Sequence, residues 1–334
     1  MAKDVTLADI ASAVGVSTVA VSKALSGKPG VSEELRDRIK AVADEMGYVA
    51  KAAVKTGTSL TGNIGVVIPE NYYGDAGTFY GRLYEQVVRA LYQNDYFGIL
   101  ELLTKEDETI GKIPKVVADG KVDGLIFLGS LKENYIRKMV EQSGISTFFL
   151  DTYISDVTVD AVISDGYYGT YQLTSYLIRK GHRKIGFVGS VDDTSSIADR
   201  YWGYRRSLRE NRIAFQPEWE IPDRDIVLYD KILDAPGDMD AFVCNSDYTA
   251  RALIQNFEDA GYRIPEDVSV VGFDNFLPAG MEQDRITSYE VDIERMARIC
   301  VKSLIKKIEK KPYTRGIQIV TGKIVEKKTV KARN

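Results

Sequence analysis

The stretch DIASAVGVSTVAVSKAL, residues 9–25, contains two short helical patterns separated by a single glycine. Apolar residues spaced three and four apart predict one face of a first helix that begins near Thr6. These residues are Leu7, Ile10, Ala11 and Val14. Gly15 permits a tight turn, and Ser17 is a suitable cap for the second helix. A third helical pattern follows Ser32. Three helices around one small core, two of them joined by a short turn, predict a helix-turn-helix head.

The outward face of the second predicted helix suits contact with DNA. It carries Thr18, Val19, Ser22 and Lys23. A hydroxyl can bond to a base edge or a phosphate, a valine can contact a thymine methyl, and a lysine can reach a phosphate or a guanine. The alternative is a generic helical bundle whose outer face has no function. Residues 1–60 contain eight Lys/Arg against seven Asp/Glu, a net charge of +1, so DNA binding would need two heads acting together.

The whole chain has 334 residues, which suggests two or three folding units. Its 44% hydrophobic and 28% charged residues are typical of a globular protein in water. The start MAKDVTLADI shows no apolar run of the kind that targets or spans a membrane. We therefore expect a cytoplasmic protein without a membrane partner. The net charge of -4 argues against a protein whose whole surface is basic and binds nucleic acid, but it is compatible with a small DNA-binding domain.

His182 is the only histidine of the chain. Because most hydrolase active sites and zinc sites use histidine imidazoles, these two classes of function are largely excluded. We expect it to be a cap or loop residue between a helix and a strand. Cys244 and Cys300 stand in apolar stretches and are expected to be buried thiols. The sequence thus predicts neither a metal site nor a cofactor.

From residue 63 onward, β-rich apolar runs alternate with amphipathic stretches of helical length. This alternation predicts parallel sheets covered by helices. Predicted strands are 64–69, 122–129, 146–151 and 184–189. Two such series predict two similar lobes with a cleft between them, and ligands of such sheets bind beyond the carboxyl ends of the strands. The stretch AKAAVKTGTSLTG, residues 50–62, has the composition of a linker.

Residues 5–48 resemble the head of the lactose-repressor/galactose-repressor (LacI/GalR) family of bacterial transcription regulators. The resemblance continues through NIGVVIP, RKGHRKIGFVG, CNSDYTA and IPEDVSVVGFDN. It implies a small all-α helix-turn-helix head and an α/β body of two Rossmann-like lobes, similar to a type I periplasmic binding protein. The implied domains are a DNA-binding domain at 1–48, a hinge at 49–62, and an effector-binding and dimerisation domain at 63–334. Within the body, lobe 1 would cover about 63–162 and 292–320, and lobe 2 about 163–291 and 321–334.

The resemblance also implies a homodimer that binds a pseudo-palindromic double-stranded operator. Thr18 and Val19 occupy the family's specificity positions, and Lys23 replaces an arginine common in the family, which gives a looser guanine contact. The full set of expected DNA-binding residues is Thr6, Leu7, Ser17, Thr18, Val19, Ser22, Lys23, Tyr48, Lys51 and Lys55.

The hinge departs from the family pattern, in which a leucine wedges into the minor groove at the operator centre. Thr56 or Gly57 falls at that position, and Lys51 stands where an asparagine is usual. Since glycine supplies no wedge, we expect a hinge without the usual intercalation unless a shifted register brings Leu60 to that place.

The residues expected to bind the effector, at the family's positions or beside them, are Phe79, Tyr80, Asp151, Arg200, Trp202, Ser246, Asp247 and Asp274. Carboxylates, one guanidinium and several aromatic rings are the chemistry of a sugar or polyol site. A nucleobase, a nucleoside or another metabolite is the alternative effector.

Two less favoured functions are a glycosidase-like enzyme that uses a carboxylate pair and a transport binding protein. The expected function is a repressor whose operator affinity changes when the effector favours one of two lobe arrangements. Amphipathic surface helices of both lobes, such as residues 81–93, are expected to form the dimer interface. Because the sequence shows no heptad tail, we expect a dimer without coiled-coil tetramerisation.

Overall fold

The computed structural model describes residues 5–25, 29–46, 48, 60–73, 78–154, 159–223, 235–281 and 284–333. The expected positions Lys51 and Lys55, together with Thr56 and Gly57 of the hinge, lie outside the described residues. The chain divides into two compact units, Met1–Ala52 and Ala53–Asn334. We refer to the described parts of these units as the head and the body.

The head contains helices α1 (Leu7–Val14), α2 (Thr18–Leu25) and α3 (Glu33–Glu45). Thr6 caps α1 in a capping box with Asp9, and Gly15 ends it with a φ of 78°, in the left-handed region that glycine tolerates. The axes of α1 and α2 are bent by 105° to each other, which is the geometry of a helix-turn-helix. The head has its own small core, formed by Ile10, Ala11, Val14, Val21, Ala24, Ile39 and Ala43.

Lobe 1 of the body is a parallel six-stranded sheet with its covering helices. Its strands are β1 (Asn63–Pro69), β2 (Phe97–Leu103), β3 (Gly124–Leu128), β4 (Ser146–Leu150), β5 (Ala161–Ser164) and β11 (Ile317–Val320). Its helices are α4 (Phe79–Tyr92), α5 (Lys105–Ile110), α6 (Lys115–Ala118), α7 (Glu133–Gln142) and α11 (Ile293–Ile308). The strand order is β11-β5-β4-β3-β1-β2, so β2 and β11 are the edges.

Lobe 2 repeats this plan. Its strands are β6 (Ile185–Val188), β7 (Glu220–Ile221), β8 (Ala241–Cys244), β9 (Ser269–Asp274), β10 (Thr287–Glu290) and β12 (Lys323–Val325). Its helices are α8 (Gly166–Arg179), α9 (Ser195–Glu210) and α10 (Asp247–Asp259). The order is β12-β10-β9-β8-β6-β7, and β12 runs antiparallel to β10. The carboxyl ends of the parallel strands therefore lie along one edge of each sheet.

The predicted fold class is confirmed: a helix-turn-helix head and two doubly wound lobes. The chain changes sheet after β5, after β10 and after β11. β5 ends at Ser164, two residues beyond the expected end of the first lobe 1 segment. The sequence-based prediction did not include β2 and β5.

The three residues considered for metal or redox chemistry are all buried. His182 places one ring nitrogen 3.2 Å from Oδ1 of Asp240 and the other 3.0 Å from the carbonyl of Lys331. It is a loop residue between α8 and β6, as expected, and its two hydrogen bonds connect this loop to Asp240 and to the C-terminal segment. Burial raises the pKa of the Cys244 thiol and of the Cys300 thiol. Among the described residues no cluster of three His, Cys, Asp or Glu could hold a metal ion.

The described helices are short compared with a helix that crosses a lipid bilayer. None of them alone is both long and apolar enough to cross one; only the bent pair α1 and α2 reaches the joint length and composition.

Candidate DNA-reading face and candidate effector site

The outward side of α2 forms a continuous exposed surface, which we call the reading face: Thr18, Val19, Ser22 and Lys23. Val19 is 61% exposed, although valine gains nothing from contact with water. An exposed β-branched residue between hydroxyl groups suits contact with a thymine methyl. The Nζ of Lys23 lies 3.4 Å from the position that a Cβ on Gly30 would occupy, so this side chain extends towards Gly30.

Four other expected DNA-binding residues have contacts within the head. Ser17 caps α2, because its Oγ accepts a hydrogen bond from the backbone N–H of Ala20 at 3.2 Å. Thr6 is exposed and caps α1. Leu7 and Tyr48 are half-buried against the head core. Their positions at the ends of helices are compatible with backbone contacts to DNA, whereas the reading face is the part of α2 that remains open.

On the lobe 1 side of the body, Tyr80 and Asp151 meet. The Tyr80 hydroxyl donates to Oδ2 of Asp151 at 3.1 Å, and the Ser164 hydroxyl lies 3.2 Å from Oδ1. Asp151 directly follows β4 and has a φ of 62°, in the left-handed region. Tyr80 is the second residue of α4, which Thr78 caps. A strand end and a helix start thus place these two side chains.

On the lobe 2 side, Arg200 and Asp274 meet. Arg200 lies on α9, and its Nη2 is 3.3 Å from Oδ1 of Asp274, the last residue of β9. Its Nη1 donates to the carbonyl of Asn245 at 2.6 Å, and its guanidinium lies 4.0 Å from the centre of the Phe273 ring. Its Nε is buried and has no hydrogen-bond partner among the described residues. One donor of this fixed guanidinium therefore lacks an acceptor within the described residues.

Tyr80, Asp151, Arg200 and Asp274 form one electrostatic group, which we call the buried cluster. Burial raises the pKa of Asp151, while the Arg200 charge and the Tyr80 hydrogen bond partly offset this effect. Burial likewise raises the pKa of Asp274 to about 6, with Arg200 opposing and Asp151 reinforcing the shift. The pKa of Tyr80 is also well above its usual range, mainly because of burial and then because of Asp151. Since Asp151 and Arg200 belong to different lobes, the cluster joins them.

A cavity of about 570 Å³ lies between the lobes, and Asp274 is the member of the buried cluster that lines it. Its wall includes Phe79 of lobe 1 and Asp274 and Phe276 of lobe 2. The rings of Phe79 and Phe276 have centres 6.5 Å apart, and the guanidinium of Arg82 lies 5.3 Å from the Phe276 centre. The remaining wall comes from Asn275, Glu290, Val291, Asp292, Ile293, Glu294, Thr321, Gly322 and Lys323. Both aromatic faces and polar groups are therefore available to one small molecule.

Ser246 and Asp247 stand at the start of α10. Ser246 caps this helix, with its Oγ accepting from the N–H of Thr249 at 3.1 Å. Asp247 is buried, and its Oδ2 accepts from the N–H of Phe276 at 2.8 Å. Burial raises the pKa of Asp247 well above its usual range, and its Oδ1 has no hydrogen-bond partner among the described residues. Asp247 supports the Phe276 segment of the cavity wall, whereas Ser246 has a local role as a cap.

Trp202 is not brought to the buried cluster. It is 56% exposed, and its ring packs against Tyr201. Two residues along an α-helix correspond to a rotation of about 200°, so Trp202 lies on the opposite side of α9 from Arg200. This placement corrects the expectation that Trp202 forms a stacking wall of the effector site.

The sequence-based prediction missed several residues at this site. Arg82 and Phe276 line the cavity. Arg82 stands two residues after Tyr80, and Phe276 stands two residues after Asp274. Tyr153 of the segment after β4 donates to Asp199 of α9, with distances of 3.1 and 3.2 Å to the two carboxylate oxygens. The Tyr153–Asp199 contact is a second polar link between the lobes. Aromatic residues near strand ends were the available signal, but spacing alone does not show which residues face across the cleft.

A head with an open reading face and a two-lobed body with a polar inter-lobe site define a DNA-binding regulator that responds to a ligand. Two family models agree with this class. "Bacterial regulatory proteins, lacI family" matches residues 6–51, and "Periplasmic binding protein-like domain" matches residues 174–330. The chain is thus similar to the LacI family of bacterial transcription regulators in its head and in much of its body.

Similar proteins extend over nearly the whole chain. The HTH-type transcriptional repressor PurR of Vibrio atlanticus (strain LGP32) is 26% identical over 98% of this chain and 99% of its own length. The HTH-type transcriptional regulator RegA of Clostridium saccharobutylicum is 27% identical, over 96% and 98%. These relatives are transcriptional regulators, which supports the same function for this chain.

Two solved structures share the fold. One is a complex of the transcriptional regulator CelR with cellobiose, with a TM-score of 0.71, 23% identity and coverage of 97% of this chain and 99% of that one. The other is the lac repressor dimer bound to operator and the anti-inducer ONPF, with a TM-score of 0.70, 21% identity and coverage of 99% and 100%. Both likenesses support the arrangement of a head and a two-lobed body.

Proposed function

We propose that this regulator is a cytoplasmic repressor whose operator affinity is controlled by a small carbohydrate bound between the lobes. The observation that carries the proposal is the buried cluster beside the 570 Å³ cavity. Tyr80 and Asp151 come from lobe 1, Arg200 and Asp274 from lobe 2. A ligand that contacts both pairs binds one lobe arrangement better than another, which is the requirement for control of a distant site.

The chemistry of the site favours a hydroxyl-rich ring. Asp274, Asn275 and Glu290 line the cavity and carry oxygens that can accept hydrogen bonds from hydroxyls, while Arg82 and Lys323 carry donors. The aromatic faces of Phe79 and Phe276 can pack against the apolar side of a sugar ring. That the structure of CelR contains cellobiose supports the same ligand class for this fold.

We propose that the reading face selects the operator. Thr18, Val19, Ser22 and Lys23 are all exposed. Thr18 and Val19 are of the types that contact bases, and Ser22 and Lys23 of the types that contact a base or a phosphate. Because the head carries little net positive charge, two heads are needed for tight binding. A homodimer on a pseudo-palindromic operator supplies them.

The dimer interface is proposed at the β2 edge of lobe 1. Tyr92 is 75% exposed, Phe97 68% and Leu102 42%, and they belong to the end of α4 and to β2. Exposed large apolar side chains beside an open sheet edge are typical of a surface that another chain covers. The amphipathic stretch 81–93 leads directly to this edge.

The first experiment identifies the ligand and the operator with the full chain. An operator is selected from a random DNA library, and melting temperatures are measured with mono- and oligosaccharides, sugar phosphates, nucleobases and nucleosides. A bound ligand raises the melting temperature. We expect a saccharide to raise it and to change operator affinity. A nucleobase or nucleoside that does both instead would replace the carbohydrate in this proposal.

Arg200→Met tests whether that ligand occupies the proposed site. The matched control is Arg209→Met, which removes an exposed charge from the same helix. We expect Arg200→Met to abolish the ligand-dependent rise in melting temperature and Arg209→Met to retain it. Equal responses of both variants would place the ligand elsewhere.

A further inference from the structure

The helix that carries the reading face is short and weakly anchored. α2 has eight residues, and only Val21 and Ala24 of these are buried. A helix of this length is not stable alone in water, so its position depends on tertiary contacts. Its last four carbonyls have no partner within the helix. Ser22 and Lys23 of the reading face belong to this last turn, so whatever binds its carbonyls also fixes their direction.

Arg36 of α3 binds this end of α2. Its Nη1 donates to the carbonyl of Ala24 at 3.1 Å and lies 3.4 Å from the carbonyl of Lys23. Arg36 is half-buried, in contrast to the exposed Arg38 and Lys40 on the same helix. A guanidinium keeps its charge and offers several donors in a fixed plane, so one side chain can serve two adjacent carbonyls.

The location of Arg36 is unfavourable for its own helix but favourable for α2. It is the fourth residue of α3, in the first turn, where the helix dipole disfavours a positive charge. Glu33 and Glu34 in the same turn offset that effect. The same charge faces the C-terminal end of α2, where the helix dipole favours a cation.

We propose that Arg36 is a positioning residue for DNA recognition: it fixes the C-terminal turn of α2 and thereby the direction of the reading face. Arg36 acts through α2 and needs no contact with a base. The inference rests on the proposed reading face, but the hold of Arg36 on α2 can be measured without DNA.

The first measurement is amide hydrogen exchange in the full chain without DNA. We expect Arg36→Met to increase exchange in residues 18–25 while residues 7–14 keep their wild-type exchange. Arg36→Lys should give an intermediate increase, because an ammonium is a point donor. Arg38→Met, the matched loss of an exposed charge, should leave both segments unchanged. Unchanged exchange of 18–25 in Arg36→Met would overturn the proposal, as would equal increases in both segments, which would indicate a general role in head stability.

The second measurement compares a wild-type-selected operator with random-sequence DNA over a range of salt concentrations. We expect Arg36→Met to lose roughly tenfold affinity for the operator and much less for random DNA, with an unchanged salt slope. Equal losses on both DNAs with a salt slope reduced by about one would identify Arg36 as a phosphate contact and overturn the proposal. If wild type selects no preferred sequence, the reading-face proposal fails, while the exchange experiment still decides the role of Arg36.

Discussion

Nη2 of Arg200 and Oδ1 of Asp274 lie 3.3 Å apart, and both side chains are largely buried between two lobes. Arg200 also opposes the burial-driven rise in the pKa of Asp151 from the other lobe. A single guanidinium therefore serves two carboxylates that the chain brings from separate sheets. Such a group is sensitive to any molecule that replaces one of its partners.

The raised pKa of Asp274 predicts a specific pH dependence of stability. Its pKa of about 6 in the folded chain exceeds the ordinary value of 3.8. The folded state therefore binds more protons than the unfolded state between these values. The contribution of Asp274 to stability is present at low pH and is lost as the pH rises through about 6. Asp151, Asp199 and Asp247 are shifted in the same direction.

We expect Asp274→Asn to remove part of that pH dependence. The difference in the free energy of unfolding between pH 4.5 and pH 7.5 should shrink by up to about 2 kcal/mol relative to wild type. Denaturant titration at the two pH values measures it. Asp119→Asn, which changes an exposed carboxylate, should leave the difference unchanged. A wild-type-like difference in Asp274→Asn would show that this carboxylate is not shifted.

Replacing Tyr153 by phenylalanine should weaken the closed arrangement of the lobes. The change removes the hydroxyl that donates to both oxygens of Asp199 and leaves a partly buried carboxylate without that donor. Small-angle X-ray scattering of the unliganded protein should show a larger radius of gyration. Tyr168→Phe, which removes an exposed hydroxyl from α8, is the control. An unchanged radius in Tyr153→Phe would mean that this link does not hold the lobes.

Substitutions in the reading face should alter the operator sequence that the protein prefers. Val19→Ala removes the methyl groups that suit a thymine contact, and Thr18→Ala removes a hydroxyl. We expect each variant to lose affinity for the wild-type operator by about 1–3 kcal/mol and to select a different sequence from random DNA. Ala13→Ser on the exposed side of α1 is the control. Identical losses on operator and random DNA would contradict base reading.

A charge at the β2 edge should dissociate the proposed dimer. Phe97→Asp places a carboxylate where a partner chain would bury a phenyl ring, and an unpaired buried charge is strongly unfavourable. Ile319→Asp is the matched control, since Ile319 is 60% exposed on β11, the opposite edge of the same sheet. Analytical ultracentrifugation should show a monomer for the first variant and a dimer for the second. The reverse result would move the interface to β11.

Local patterns were sufficient for the head. Thr6, Ser17 and Ser32 each cap a helix, and Gly15 has the positive φ that the turn requires. The reason is physical: caps and turns depend on residues close in sequence. Buried parallel strands such as β3 and β4 were equally visible, because both of their faces are apolar.

Features that depend on tertiary contacts were missed. β2 is a partly exposed edge strand and β5 has only four residues, so neither forms a long apolar run. The Phe79–Phe276 contact joins segments of different lobes, which no local spacing reveals. Trp202 was expected beside Arg200 because the two are close in sequence, but a helix turns neighbouring side chains to different sides. The role of Arg36 depends likewise on where α3 meets α2.

The decisive measurement is the affinity of the full chain for its selected operator, by fluorescence anisotropy, with and without the saccharide that raises its melting temperature. Wild type and Arg209→Met should change affinity by roughly tenfold or more on adding the saccharide, within the usual range of coupling between sites. Arg200→Met should bind the operator but show no change. A saccharide response that persists in Arg200→Met, or its absence in wild type, would contradict control through the buried cluster.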